Sequence, residues 1–451
     1  MNTFQFKCRA AAGVALMMVL VIVTVSVPLG AAADEVPYAG WEEVGPGSAS
    51  GGGISQTEGP SEAVALAIGR GGRPIVAWVE QTPDNKEIYV RHWNGTAWVE
   101  MGVGSASGGG ISGISHDHSV SEYPSVAIGG DGLPIVAWAN GFAFGAGDIF
   151  VRRWDGTVWA EMGADSASGM GISLTNAASH PSLAIAPDGT PMVAYVNGTG
   201  NGLQIYVKQW NGAAWVEVGA GSASSGGVSN DGTKSLMPAL AIGPDGRPVV
   251  AWVDMPDDSF KDIFVRQFDG SSWVEMGAGS AAGGGISNTP GDSFRPAMAF
   301  GTDGKPIVVW NDSDLYLKRW NGSAWVEMGG SASGGGLSNH ENAYGAALAV
   351  RPDGMPVVAW NGSSGTGTSI YVRRWNGTAW VEMDAGSAAG GGISGETYGS
   401  DTPALAIAPD GRPVVAWTQN MMEPGSYNRE IYVRQHAPIL FPQAFMPVIG
   451  R

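Results

Sequence analysis

An oxygen-bearing side chain recurs two positions after the aromatic residue that ends each of seven similar apolar runs in this 451-residue chain. Six of the seven positions carry a carboxylate or amide oxygen: Glu80, Asn140, Asn197, Asp254, Asp312 and Gln419. Gly362 occupies the seventh. Oxygen ligands suit Ca²⁺, so the spacing predicts a polar ring able to bind calcium. The alternative is that these oxygens accept hydrogen bonds from neighbouring loop N–H groups, as buried polar groups must.

Aromatic residues also stand in the variable segments between the apolar runs, outside the repeated positions. They are Tyr123, Phe142, Phe144, Phe260, Phe294, Tyr344, Tyr398 and Tyr427. Arg295 follows one of them directly. Exposed aromatic residues mark binding surfaces, and we expect these side chains in loops on one face, where they stack on sugar rings or clamp a peptide. The alternative is that they cap the ends of the sheets.

Further groups have residue types that are used in metal binding or catalysis. They are His116-Asp117-His118, His180, His340-Glu341, Asp257-Asp258, and Glu396 with Asp401. Two histidines without a third ligand are weak support for zinc, and surface histidines are the favoured interpretation. Paired carboxylates serve glycosidases, but adjacent acids in an acidic protein are usually solvated.

The charge balance excludes nucleic acid as a partner. The chain has 24 Lys and Arg against 41 Asp and Glu, a formal net charge of −17, whereas affinity for a phosphate backbone comes from Lys and Arg. Hydrophobic residues make up 44% of the chain, which is enough to bury a core and excludes a disordered protein. The single cysteine, Cys8, lies in a segment that we expect to be removed, so the mature chain has no disulfide.

Residues 1–33 have the pattern of an export signal. Lys7 and Arg9 precede an apolar run over residues 10–27, and the small residues 31–33 follow as a cleavage site. The pattern predicts cleavage after Ala33, an extracytoplasmic location in a bacterium and no membrane span in the mature chain. An uncleaved N-terminal anchor is the alternative. Residues 34–39 are expected to form a short connecting segment, and residues 437–451 a proline-containing apolar tail.

The rest of the chain is a sevenfold repeat. Each copy contains an apolar run alternating with Ala, a tight turn, P-x-V-A-W, a variable loop, I-Y-V-R-x-W, an Asn-Gly or Asp-Gly turn, W-V-E-M-G and a Gly-rich stretch. Alternation with period two predicts strands, and Asp-Gly and Asn-Gly supply the positive φ angles of tight hairpins. A long period built from four short strands predicts an all-β fold, a seven-bladed β-propeller with four antiparallel strands in each blade.

The strand that the last copy of the repeat lacks is present at the N-terminal end of the repeat region. The seventh copy reaches residues 431–434 and lacks the fourth strand, whereas the segment Trp41–Gly45 matches that strand and has no copy of its own before it. We predict that this N-terminal strand completes the last blade, which closes the ring and removes open sheet edges. The propeller is therefore expected to be a single domain over residues 40–436.

The turn between the third and fourth strands, followed by tryptophan, resembles the Asp-box (BNR) repeat of sialidase-like propellers, whose pattern is S/T-x-D-x-G-x-x-W. Here Asn94 is followed directly by Gly95, and no Ser or Thr stands two residues before it. The chain also resembles internally repetitive exported bacterial propellers over nearly its whole length. A sialidase-like enzyme implies an arginine cluster for the substrate carboxylate, and only Arg295 and Arg429 are expected near the loop-bearing face.

These observations favour a monomeric, non-catalytic binding module for carbohydrate or a cell-surface polymer, with a protein as a further type of partner. The alternative is a divergent sialidase-like glycoside hydrolase or lyase, and the second alternative is a structural surface protein. No cofactor is required, and Ca²⁺ is an optional ligand of the oxygen ring. An acid pair beside an arginine at the centre would favour the enzyme, whereas equivalent pockets between blades would favour a multivalent lectin.

Overall fold

Alternating apolar residues and glycine-containing turns produce strands throughout the described chain. The computed structural model describes residues 40–83, 85–113, 119–142, 146–198, 202–230, 232–256, 260–289, 291–338, 342–363, 367–395, 399–423 and 426–437. Within these ranges the helical structure consists of one 3-10 turn, Arg70–Gly72, and no helix is long and apolar enough to cross a membrane. The predicted signal and connecting segments, and residues 438–451, lie outside the described residues.

The first strand, β1 (Trp41–Glu43), precedes groups of strands that we call units 1 to 7. Unit 1 contains β2 (Ser61–Ile68), β3 (Pro74–Gln81), β4 (Lys86–Trp93) and β5 (Trp98–Glu100). Unit 2 contains β6 (Ser119–Ile128), β7 (Pro134–Phe142), β8 (Ala146–Trp154) and β9 (Trp159–Glu161). Unit 3 contains β10 (Ala178–Ile185), β11 (Pro191–Asn197), β12 (Gln204–Trp210) and β13 (Trp215–Glu217).

The remaining units repeat this arrangement. Unit 4 contains β14 (Lys234–Ile242), β15 (Pro248–Met255), β16 (Asp262–Phe268) and β17 (Trp273–Glu275). Unit 5 contains β18 (Phe294–Phe300), β19 (Pro306–Asp312), β20 (Asp314–Trp320) and β21 (Trp325–Glu327). Unit 6 contains β22 (Tyr344–Val350), β23 (Pro356–Ser363), β24 (Thr368–Trp375) and β25 (Trp380–Glu382). Unit 7 contains β26 (Ser400–Ile407), β27 (Pro413–Glu423) and β28 (Ser426–His436).

Consecutive strands of each unit pair antiparallel, and β1 supplies the fourth strand of unit 7. Trp41 lies opposite His436 in the β1–β28 register, which confirms the predicted pairing of the N-terminal strand with the last copy. A single pairing of Ala178 with Gly147 joins units 2 and 3 into one eight-stranded sheet. The described strands therefore form six sheets, and not the seven separate sheets that the repeat predicts.

The first strands of neighbouring units contact one another. β2, β6, β10, β14, β18, β22 and β26 each contact the next in this order, and β26 also contacts β2. Side chains on these strands are therefore brought close to one another across units that are far apart in sequence.

Packing between neighbouring units depends on the aromatic residue near the end of the second strand. In all seven units this side chain is fully buried: Trp78, Trp138, Tyr195, Trp252, Trp310, Trp360 and Trp417. Trp78 packs against Ala416 and Val433 of unit 7, so this contact also links the first unit to the last. Truncating such a buried aromatic residue costs about 3–5 kcal/mol.

The Gly-rich stretch after each fourth strand is a loop held by the glutamate of W-V-E. Glu100 Oε1 accepts a hydrogen bond from the N–H of Ala106 at 3.1 Å, and its Oε2 accepts one from Gly104 at 3.2 Å. Equivalent bonds occur after the other fourth strands. The stretch therefore has a structural role.

Candidate functional site

Every first strand contains a β-bulge at the same place. In β2 the register shifts between Glu62 and Ala65, and equivalent shifts occur in the six other first strands. One residue in each bulge has a φ between +46° and +56°. These residues, which we call the bulge ring, are Ala63, Tyr123, His180, Met237, Arg295, Gly345 and Thr402.

The backbone of the bulge ring is unusual for the residues that form it. Positive φ is uncommon outside glycine, and bulky side chains avoid it. Strain of this kind costs about 1–3 kcal/mol per residue and persists where the surrounding structure enforces it, often at functional sites. Bulges also re-aim side chains next to active sites. The bulge ring is therefore a candidate location for functional side chains.

Two neighbouring members of the bulge ring, Tyr123 and His180, are stacked. Their ring centroids lie 3.9 Å apart and their planes meet at 25°. His180 Nδ1 lies 3.0 Å from the hydroxyl of Ser179. Tyr123 is 40% exposed, so a molecule arriving from solvent can contact the pair.

The charge of Arg295 acts on both rings. Burial lowers the pKa of His180 below its ordinary 6.5, and Arg295 lowers it further, against an opposing effect of Glu122. The imidazole is therefore neutral at neutral pH and can accept a proton. Partial burial and Glu122 raise the pKa of Tyr123 above its ordinary 10.0, against Lys86 and Arg295. The Tyr123 hydroxyl therefore keeps its proton and can donate it.

A chain of ion pairs leads from unit 7 to Glu122. Lys86 Nζ lies 2.8 Å from Glu122 Oε1 and 3.8 Å from Glu62 Oε2, and Arg429 Nη1 lies 2.8 Å from Glu62 Oε1. Partly exposed pairs of this kind contribute about 0–1 kcal/mol to stability. Their main effect is to hold Glu122, which directly precedes Tyr123, in place beside the stacked rings.

A cavity of ≈ 880 Å³ opens beside Arg295. Its lining, drawn from units 4 to 7, includes Phe294, Asn311, Asp312, Tyr344, Asn361 and Asp401. The volume lies in the range of small-molecule sites. Arg295 belongs to the wall of this cavity and also acts on Tyr123 and His180. Arg295 therefore links the cavity electrostatically to the stacked pair, whose two residues are not part of the cavity lining.

The six predicted oxygen ligands are engaged mainly with side chains of their own units. Glu80 accepts hydrogen bonds from Ser61 Oγ at 2.7 Å and from Trp78 Nε1 at 2.9 Å. Asp254 and Gln419 accept the equivalent serine and tryptophan bonds. Asn140 lies 3.1 Å from the Ser121 hydroxyl, and Asn197 2.6 Å from that of Thr175. Asp312 lines the cavity.

The calcium prediction is not tested by these contacts. The donors to five of these residues include Ser, Thr and Trp side chains. Among the described residues, no three His, Cys, Asp or Glu side chains are grouped in a way that could hold a metal ion.

The structure corrects the predicted position of several residues. Tyr123, Phe294, Arg295 and Tyr344, expected in loops between units, lie in the first strands β6, β18 and β22. The prediction was wrong because the bulge interrupts the period-two alternation, so the pattern reveals only the part of each strand that follows it. Phe260 does lie in the expected connection, between β15 and β16, and is 53% exposed.

The structure describes the other predicted residues only in part or not at all. Phe142 and Tyr427 lie in strands β7 and β28 and not in loops, and the structure describes only their backbone. Outside the described residues lie Phe144, Tyr398, His116-Asp117-His118, His340-Glu341, Asp257-Asp258 and Glu396. The structure thus brings together Tyr123, Phe294, Arg295, Tyr344 and Asp312 among the predicted site residues.

Sequence reasoning underestimated two features of the site. The sequence identifies His180 only as one of several histidines, because its stacking on Tyr123 depends on contact between two units. Asn311 and Asn361 were not singled out. Their signal was present, since they follow the second-strand aromatic residue at a position where the other units carry Val, Ala or Thr.

No protein-family model matches the chain, and no curated protein matches its sequence. Several solved structures resemble it. One is a polysaccharide lyase of family PL25, an ulvan lyase, with 11% identity and a TM-score of 0.48 over 83% of this chain and 94% of that chain. An α-L-arabinanase of Penicillium chrysogenum has 12% identity and a TM-score of 0.44 over 84% and 96%. A Hadza microbial sialidase has 14% identity and a TM-score of 0.43 over 80% and 73%.

These comparisons correct the expectation of a non-catalytic binding module. The three solved structures described above are a lyase, a glycanase and a sialidase, all of them enzymes. The main expectation was therefore wrong.

Proposed function

We propose that this chain is a carbohydrate-active enzyme that cleaves a uronate-containing polysaccharide by β-elimination at Tyr123, His180 and Arg295. The observation that carries the proposal is the stacked Tyr123–His180 pair, held at two positive-φ bulge positions under the charge of Arg295. A neutral base, a protonated acid and a cation whose charge acts on both form a constellation for abstracting a proton next to a carboxylate.

The three side chains have complementary roles in this reaction. Arg295 binds the uronate carboxylate and stabilises the negative charge that develops on it. The neutral imidazole of His180 accepts the proton from the ring carbon beside the carboxylate, while a carbon–carbon double bond forms and the glycosidic C–O bond breaks. The Tyr123 hydroxyl donates its proton to the leaving oxygen. Solvent then returns a proton to Tyr123 and removes one from His180.

A glycoside hydrolase is the second candidate, because carboxylates also line the cavity. Asp312 and Asp401 both belong to its wall, and hydrolases use two carboxyl groups on either side of the scissile bond. The products distinguish the reactions. A lyase creates an unsaturated sugar without adding water, whereas a hydrolase incorporates an oxygen atom from water.

The proposal includes the complete ring and its location. We infer that units 1 to 7 are the blades of a closed, sialidase-like seven-bladed propeller, which the contacts of β2 with both β6 and β26 and the pairing of β1 with β28 support. The bulge ring then surrounds the central opening, where ligands of propellers have access to several blades at once. Export through residues 1–33 belongs to the same proposal, because polysaccharide substrates lie outside the cell.

The test is to incubate the purified chain with a panel of uronate-containing polysaccharides. Ultraviolet absorbance of the unsaturated product and the release of reducing ends are expected to rise together, and Arg295→Gln is expected to raise KM more than Arg295→Lys. Reducing ends without absorbance would identify the hydrolase. A chain that produces neither signal with any of the polysaccharides would refute the proposal.

A further inference from the structure

Two asparagines interrupt the repeat at the wall of the cavity beside Arg295. The residue that follows the second-strand aromatic residue is apolar or threonine in five units: Val79, Ala139, Val196, Val253 and Thr418. In units 5 and 6 it is Asn311 and Asn361. Both side chains are buried, with 5% and 4% exposure, and both line the cavity.

The amide oxygens of both asparagines have no hydrogen-bond partner among the described residues. Asn311 Nδ2 donates to the carbonyl of Ala343 at 2.7 Å, which fixes the orientation of that amide. Buried polar groups without a partner are rare in native proteins, and each requires an explanation. Packing does not require an amide here, because Val, Ala or Thr fills the same position in the other units.

The rest of the wall has the chemistry of a sugar site. Tyr344 is 48% exposed and lies opposite Asn361 in the strand register, and Phe294 lies opposite Asn311. The Nζ of Lys261 lies 4.6 Å from the centroid of the Phe294 ring, so the exposed ring of Tyr344 is the face that can stack against the apolar face of a sugar ring. The amide oxygens accept hydrogen bonds from sugar hydroxyls, directly or through one bridging water.

The charge of the wall favours an uncharged sugar. Asp292, Asp312 and Asp401 contribute three carboxylates to the lining, against the single cation of Arg295. Lys261 pairs with Asp292 at 2.6 Å but is not part of the lining. Carboxylates accept hydrogen bonds from hydroxyl groups and repel a second carboxylate or a sulfate.

The bulge ring is open above Asn361, because unit 6 has glycine at its ring position. A Cβ on Gly345 would lie 2.8 Å from Asn361 Oδ1, which is too close for an unperturbed contact. Other ring positions accommodate side chains at a similar φ. Gly345 therefore leaves a space next to Asn361 that a larger side chain would fill.

We propose that this cavity is a subsite for an uncharged sugar unit next to the uronate bound by Arg295. The inference rests on the proposed function and names its substrate class. That class is a heteropolysaccharide in which a neutral sugar neighbours each cleaved uronate, and not a homopolymer of uronates.

The binding test uses the full chain with His180→Asn, so that no cleavage occurs during titration. Calorimetry is performed with xylotriose, galactotriose, mannotriose and arabinotriose as uncharged probes, and with trigalacturonate as the anionic probe. At least one uncharged trisaccharide is expected to bind saturably. If none of the four binds, the subsite is refuted.

Variants of the wall show whether the binding occurs in this cavity. Tyr344→Ala and Asn361→Val are each expected to weaken the binding of the uncharged probe about tenfold. Leu174→Ala, which truncates an exposed residue of another unit, and Thr418→Val, which makes the matching change in unit 7, serve as controls and are expected to leave the affinity unchanged. Equal affinity in Tyr344→Ala, Asn361→Val and the parent chain would overturn the assignment.

Failure of the subsite and failure of the proposed enzyme give different results. Cleavage of polygalacturonate as fast as of heteropolysaccharides would refute the subsite and leave the reaction centre intact. Binding of uncharged trisaccharides that depends on Tyr344 and Asn361, in a chain that cleaves no polysaccharide, would support the subsite and refute the enzyme.

Discussion

At the residue scale, one backbone position accounts for most of the chemistry of the site. The bulge of the first strand carries Ala63 and Met237 in two units, where the side chains have no acid–base function. At the same position in other units, Tyr123, His180 and Arg295 titrate or carry a charge. Substitution at a single repeated position therefore converts a structural feature into the reaction centre that we propose.

The proton-transfer roles predict a defined pH dependence of kcat/KM. The rate is expected to rise as the pH increases through the pKa of His180, which lies below 6.5, because the base must be neutral. It is expected to fall only above pH 10.0, where Tyr123 loses its proton. Glu122 raises the pKa of His180, so Glu122→Gln should move the lower limb to lower pH.

A matched variant separates this effect from the loss of an ion pair. Glu62→Gln also removes a partner of Lys86, but Glu62 does not act on His180. The lower limb of the pH profile of Glu62→Gln should therefore lie at the same pH as that of the wild-type chain. A lower limb above pH 6.5, or equal shifts in the two variants, would exclude His180 as the base.

The Asn361 amide oxygen, which has no hydrogen-bond partner among the described residues, is expected to lower the stability of the chain while it contributes to sugar binding. Asn361→Val replaces a buried oxygen without a partner by the side chain found in three other units, so we expect the free energy of unfolding to rise by about 1 kcal/mol. Chemical denaturation measures the change, with Thr418→Val as the control. A loss of stability in Asn361→Val would show that the amide has a structural role.

At the scale of elements, local patterns predict the strands well and the site poorly. Alternating apolar residues and turns such as Asp131-Gly132 depend on neighbours in sequence, and the strands they predict are present. The residues at the left-handed bulge positions share no type, since Tyr123 and Thr402 are equivalent, but five of the seven directly precede a proline: Pro124, Pro181, Pro238, Pro296 and Pro403. The period-two pattern ignores this proline, so it does not identify the bulges. The stacking of His180 depends on contact between units, which is a property of the tertiary fold.

The carboxylate-held loops allow a prediction about a single element. The Ser224 hydroxyl and the N–H groups of Gly221 and Ala223 lower the pKa of Glu217 below its ordinary 4.5. The stabilisation is therefore complete above pH 4.5 and is lost as the pH falls through the lower pKa of the folded chain. Glu217→Gln should cost at most about 1 kcal/mol, because the carboxylate is largely solvated.

Thermal unfolding at neutral and acidic pH tests this account of the loops. The unfolding temperature of the wild-type chain should exceed that of Glu217→Gln at neutral pH, and this difference should disappear in acid. Glu327 accepts a hydrogen bond from one loop N–H, that of Ala332, so Glu327→Gln is expected to have a smaller effect. Identical pH profiles for wild type and Glu217→Gln would show that the carboxylate does not hold the loop.

At the scale of the whole molecule, the two ends of the repeat region form one sheet through the pairing of β1 with β28. Trp41 is 6% exposed and packs edge-on against His436, with ring centroids 5.5 Å apart. It also joins the core cluster that contains Val357 and Trp417. The N-terminal strand therefore contributes to the packing of unit 7.

Truncation of this residue tests the closure of the ring. Trp41→Ala is expected to lower the free energy of unfolding by about 3–5 kcal/mol, as for other buried aromatic residues. Val103→Ala changes a fully exposed side chain and should have no effect. A Trp41→Ala variant as stable as Val103→Ala would show that β1 contributes nothing to unit 7.

The central claim is that Tyr123 and His180 form the acid–base pair of an enzyme. The most direct measurement is the initial rate of unsaturated-product formation by wild type, Tyr123→Phe and His180→Asn on one uronate-containing heteropolysaccharide. Each substitution is predicted to lower kcat by about 10²–10⁴-fold, with unfolding temperatures close to that of wild type. Rates equal to wild type in both folded variants would contradict the account.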